Sequence, residues 1–152
     1  MIKRVFLFLV LNFSALAIGG SFTGKGVPSD WYQNLDKAPW TPSGWVFGFA
    51  WTLIMICFAI YMAYLLVDAS NRKKIILLYL FQWILNVAWN PVFFYFQEIL
   101  VGFITISLLT VLITYFLFHF RNDLKMKSIF IAPYFIWLII ATSLNGYILL
   151  FN

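Results

Sequence analysis

Five stretches of this chain, residues 5–22, 45–67, 75–97, 99–118 and 128–150, contain no Asp, Glu, Lys, Arg or His. No other feature limits the fold so strongly. At about 1.5 Å rise per residue, roughly 20 residues cross the hydrocarbon core of a bilayer as a helix. The runs are continuous rather than alternating, which is unlike barrel strands, and an open sheet would leave backbone groups unpaired in lipid. Of the 152 residues, 64% are hydrophobic and only 10% are charged, whereas about 25% are charged in an average soluble domain. The expected fold is an all-α integral membrane protein, a five-transmembrane-helix bundle. No repeat or linker divides residues 1–152, so a single domain is expected.

The first run also fits a cleaved secretory signal, because Lys3-Arg4 precedes it and Ala15-Leu16-Ala17 lies near its end. A retained helix is the expectation, since its loss would leave a four-helix remainder. With five spans, eight of the ten basic residues fall on one side: Lys3, Arg4, Arg72, Lys73, Lys74, Arg121, Lys125 and Lys127. Only Lys25 and Lys37 fall on the other. The positive-inside rule then puts the N-terminus in the cytoplasm and the C-terminus outside, and a bacterial cytoplasmic membrane suits this bias. The net charge of +5 follows from insertion topology and requires no nucleic acid.

The spans lack the ionisable groups that pumps and ion-coupled transporters keep in the membrane. No carboxylate pair, metal-ligand spacing or phosphate loop is present, so no metal or cofactor is expected. The one histidine, His119, ends the fourth span beside Arg121 and reads as interfacial. Cys57 is the only cysteine; it excludes an intramolecular disulfide and reads as a packing residue.

What the chain does carry is aromatic and amide side chains in register. Gln82, Asn86 and Asn90 follow at i, i+4 and i+8, flanked by Tyr79, Trp89 and Phe93. Such spacing puts them on one helix face. Tyr134, Trp137, Ala141, Leu144 and Asn145 form a second stripe, and Trp51, Met55, Phe58 and Met62 a third. Interhelical hydrogen bonding is one role for the amides. Lining an apolar pocket for a flat ligand is the other. Pro91 and Pro133 stand inside the third and fifth runs, where proline removes a hydrogen bond and bends the axis. The fourth run holds Gly102, Ser107, Thr110 and Thr114, small enough for close helix contact.

Between the first two runs lies a turn-rich connector with three tryptophans and a tyrosine: Trp31, Tyr32, Trp40 and Trp45. Such rings serve either as an interfacial belt or as a lid over a cavity. Their order resembles the signature of the TspO/MBR family, the tryptophan-rich sensory proteins and translocator (peripheral-type benzodiazepine receptor) proteins. Trp31-Tyr32, Leu35, Lys37, Trp40, Pro42 and Trp51 stand in that pattern. Ala38-Pro39 replaces the usual Pro-x, and Ser43 replaces a second proline. Further on, Tyr79, Gln82, Leu85-Asn86, Ala88-Trp89, Pro91 and Phe93-Phe94 look like the family's third helix. Pro133-Tyr134, Trp137, Ala141-Thr142 and Leu144-Asn145 look like its fifth.

The resemblance implies a single TspO/MBR-type domain, with a pocket for porphyrins of the protoporphyrin IX type within the bundle. Its expected ligand-binding residues are Trp31, Tyr32, Trp40, Trp51, Phe58, Gln82, Asn86, Trp89, Asn90, Phe93, Trp137, Ala141 and Asn145. An alternative is light-dependent porphyrin breakdown, in which Trp51 and Trp137 would be the catalytic groups. Facilitated transport of a tetrapyrrole or sterol is a third reading. The implied partners are a tetrapyrrole or other hydrophobic small molecule, membrane lipid and a second copy of the chain. The vertebrate cholesterol motif needs a basic residue after an aromatic one, and the tail Asn145–Asn152 has none.

Overall fold

The computed structural model describes residues 1–68 and 71–152. Helix α1 (Ile2–Gly26) leads through a short α2 (Asp30–Gln33) to α3 (Gly44–Asp68). There follow α4 (Arg72–Asn90), α5 (Ile99–His119), the short α6 (Arg121–Leu124) and α7 (Ala132–Phe151). The five long helices coincide with the five charge-free runs and are long and apolar enough to cross a membrane. Their contacts close a ring in the order α1, α3, α7, α5, α4, with α5 against α7 and α1 against α3 the largest interfaces. One end of the bundle carries the eight basic residues. The other carries the α1–α3 connector, and the two are called here the basic end and the loop end.

Packing differs between the ends. Toward the basic end, Phe58 is fully buried and touches four rings: Tyr61 and Tyr79 at 6.0 Å, Phe116 at 6.0 Å and Tyr134 at 5.2 Å. Three helices are pinned beside it by one amide. Asn12 of α1 donates to the Met55 carbonyl of α3 at 3.0 Å and accepts from the Tyr79 hydroxyl of α4 at 2.7 Å. Gln82 donates to the Tyr134 hydroxyl at 2.7 Å, joining α4 to α7. These groups are deeply buried, and in lipid a missing partner would have no water to replace it.

Two proline expectations need correction. Pro91 does not simply bend an α-helix: residues Pro91–Tyr95 form a π-helical turn, and the Phe96 N–H donates to the Pro91 carbonyl at 2.9 Å. The missing proline N–H is accommodated by widening the helix by one residue per turn. Gln97, in the left-handed region at φ 58°, then turns the chain into α5. Pro133 is not in a helix interior. Residues Lys125–Ile131 form a 3₁₀ segment and α7 begins at Ala132, so Pro133 occupies the first turn, where no intrahelical N–H bond is lost.

Candidate ligand-binding site

A cavity of about 670 Å³ occupies the loop-end half of the bundle. Each wall follows from the local sequence. On α4, Asn86, Trp89 and Asn90 recur on one face and the π turn adds Phe93 and Phe94. On α7, Trp137, Ala141, Leu144, Asn145 and Ile148 recur at helical spacing. Phe47, Trp51 and Thr52 come from α3, and Ile106 from α5.

Between these α3 side chains and Ala15, Leu16 and Val27, the α1–α3 side is built from small residues. Gly19, Gly20, Thr23 and Gly24 of α1 face Gly44 and Gly48 of α3. A methyl group added at Gly20, Gly24, Gly44 or Gly48 would meet nothing within 4 Å. Gly19 and Gly26 differ, because there the added carbon collides with Asn90 and Phe94. α1 is therefore pressed against α4 at Gly19 and against the π turn at Gly26, while its other glycines leave space.

The connector caps the loop end. Ser29 caps α2 by accepting from the Tyr32 backbone N–H at 3.3 Å, and Tyr32, Lys37, Thr41 and Pro42 line the cavity. Tyr32 rests on Phe94 at 5.4 Å, and its burial raises the phenol above the ordinary tyrosine value, so it remains an O–H donor at neutral pH. A reciprocal pair ties the connector to the end of α7. The Asp36 N–H donates to the Asn152 carboxamide oxygen at 2.8 Å, and the Asn152 amide donates to the Asp36 carbonyl at 3.1 Å.

Most polar groups of the site are already partnered. Thr23 donates to the Asn90 carboxamide oxygen at 2.7 Å and Trp89 Nε1 to that of Asn145 at 3.2 Å. The Asn90 and Asn145 amides donate to carbonyls one turn earlier in their own helices, Asn86 and Ala141. Two of the groups left over lie on the α4 and α7 walls. Asn86 is only 8% exposed, lines the cavity and makes no side-chain hydrogen bond among the described residues. Trp137, another wall residue, has a buried Nε1 N–H without a partner. The cavity is thus apolar, flanked by indoles, with a free carboxamide on its α4 wall. Among the described residues, no three His, Cys, Asp or Glu side chains come together as metal ligands.

The TspO/MBR family model matches residues 6–150. The chain belongs to the TspO/MBR family. It is 32% identical over 138 residues to the tryptophan-rich protein TspO of Chlorobaculum tepidum, covering 88% of this chain and 86% of that one. The tryptophan-rich sensory protein of Cereibacter sphaeroides is 28% identical over 138 residues, at 90% and 87% coverage. The human translocator protein is 28% identical over 137 residues, at 84% and 78% coverage.

In this TspO/MBR protein, the fold gathers Tyr32, Trp51, Asn86, Trp89, Asn90, Phe93, Trp137, Ala141 and Asn145 around the cavity. The other four residues expected at the site do not line it. Phe58 and Gln82 sit deeper, in the aromatic core and in the bond to Tyr134. Trp31 packs edge-on against Phe93 at 5.5 Å without reaching the lining. Trp40 is 53% exposed, donates to the Ser143 hydroxyl at 3.1 Å and stands edge-on to Tyr147, so it anchors the connector to α7. Reading by stripe missed Thr23, Lys37, Phe47 and the glycines. The glycines had a signal: Gly20 to Gly24 and Gly44 to Gly48 are both G-x-x-x-G spacings.

Proposed function

We propose that this TspO/MBR membrane protein is a receptor or sensor that binds a porphyrin-type tetrapyrrole, or a similarly flat hydrophobic molecule, in the loop-end cavity. The observation that carries the reading is the unpartnered Asn86 carboxamide in a cavity walled by Trp51, Trp89 and Trp137. Indole planes suit a flat conjugated ligand, and a free amide supplies one oriented hydrogen bond. About 670 Å³ falls within the roughly 300–1,000 Å³ usual for small-molecule sites. The names of relatives, a sensory protein and a translocator, agree with a receptor role. The basic end faces the cytoplasm of a bacterial membrane in this reading, and a second copy of the chain is a partner.

Titrating the purified protein in nanodiscs with protoporphyrin IX tests the proposal. Saturable quenching of tryptophan emission is expected, and Asn86→Ala should weaken binding several-fold, on the order of 1 kcal/mol. Non-saturable partitioning, equal to that of empty nanodiscs, would refute it. A second reading, light-driven porphyrin breakdown, draws on Trp51 and Trp137, both on the wall of one cavity. Illumination under oxygen distinguishes the two. Protein-dependent formation of a new pigment, lost in Trp51→Phe with Trp137→Phe, would establish chemistry; a spectrum matching the protein-free control would leave binding alone.

A further inference from the structure

We propose that Lys37 selects the ligand by its charge: the cavity favours a flat apolar molecule bearing a carboxylate, held with that group at the loop end. This deepens the tetrapyrrole reading and rests on it for the shape of the ligand.

Among the described residues, Lys37 is the only charged one in the lining, and no acidic residue joins it there. The ammonium is held in place by neutral groups alone. It donates to the carbonyls of Gln33 at 3.1 Å and Leu35 at 3.3 Å, and lies 4.8 Å from the centre of the Tyr32 ring. An ammonium has three donors, so these contacts leave one for another acceptor. Carbonyl dipoles and a ring face orient the cation without cancelling its charge. Among the described residues no carboxylate pairs with it. Its neighbour Asp36 is exposed, and the backbone of Asp36 is committed to Asn152.

The setting strengthens that unmatched charge. Apolar walls below and a partly buried position reduce screening, so the field of one cation reaches into the cavity more strongly than it would across water. A hydrophobic ligand with an anionic edge gains a charge-assisted hydrogen bond there, whereas a ligand with a cationic edge meets repulsion. The bland alternative is that Lys37 only staples the connector by capping the end of α2. The two roles differ in one measurable respect. A staple affects all ligands alike, whereas a charge selector distinguishes an acid from its ester.

The test uses the full chain in zwitterionic nanodiscs, where lipid headgroups do not compete as net anions. Affinities are measured for protoporphyrin IX and its dimethyl ester, and for pyrenebutyric acid and its methyl ester. Wild type should hold each acid about 10-fold more tightly than its ester. Lys37→Met should erase that preference by weakening the acids while changing the esters less than about 2-fold, and Lys37→Arg should keep it. Equal binding of acid and ester by the wild type, or equal weakening of both by Lys37→Met, overturns the proposal. If the porphyrins fail to bind and the pyrene pair still shows the preference, the tetrapyrrole reading fails while the role of Lys37 stands. Failure of both pairs removes both.

Discussion

The two halves of the bundle use the same five helices and solve opposite problems. At the basic end the helices converge on Phe58 and buried polar groups bridge them, as in Asn12 with Tyr79 and the Met55 carbonyl, although the Gln82 carboxamide oxygen there has no partner. At the loop end they enclose a space, walled on one side by glycines and roofed by a connector held through Tyr32, Trp40 and Asn152. Aromatic content does not set them apart, since both are rich in rings. The difference lies in whether rings meet other rings or face a space. Rings that meet other rings exclude the surroundings and add to packing, whereas rings that face a space leave room for an occupant.

Substitutions can break or sharpen that division, and the largest effect belongs to the packed half. Phe58→Ala removes the ring shared by four neighbours and should cost about 3–5 kcal/mol, seen as a large fall in thermal unfolding temperature in detergent. A variant as stable as wild type would mean that the basic end is not the source of stability. Next comes Tyr79→Phe. It deletes one oxygen and leaves the Asn12 carboxamide buried without its donor, an expected loss of about 1–3 kcal/mol. Full stability there would show that Asn12 finds another partner.

Glycines then separate open wall from close packing within the loop end, on α3 and α1. Gly48→Leu projects into open space and should leave unfolding within about 0.5 kcal/mol of wild type, yet lower porphyrin affinity by filling the cavity. Gly19→Leu makes the same chemical change against Asn90 and should destabilise the protein. Equal melting temperatures for the two would contradict the close approach of α1 to α4. The smallest change in stability is expected from Asn152→Ala, which frees the connector at Asp36 and leaves the bundle intact. Hydrogen exchange reads it directly: the Asp36 amide should lose protection while the amides of α4 keep theirs.

How much of this was legible depends on the kind of signal. Charge-free runs placed all five long helices, because a span must exclude ionisable groups over its whole length. Stripes at i, i+4 and i+8 gave the correct face of α4 but not the depth at which the cavity ends. Each four residues advance about 6 Å along a helix, so Gln82 shares a face with Asn86 while lying in the sealed half. Trp31 shows the same limit around the axis, since neighbours on a helix point about 100° apart and only Tyr32 reaches the lining. The π turn had no periodic signature, and Pro91 alone does not tell a kink from a widened turn. The glycine wall was visible as two spacings, but spacing does not say whether small residues admit another helix or leave a gap.

The sealed half also fixes the direction of any traffic. Below Trp51, Asn86 and Trp137 the way is blocked by Phe58, Tyr79 and Tyr134, with Asn12 and Gln82 bonded across it. The cavity is thus closed toward the basic end, while the glycines on its α1–α3 side, Gly20, Gly24, Gly44 and Gly48, are exposed. An occupant cannot leave through the basic end without parting the bonds that hold three helices together. Exchange is left to the loop end and to the gap between α1 and α3, so the surrounding lipid is as near a source of ligand as the water beyond the connector.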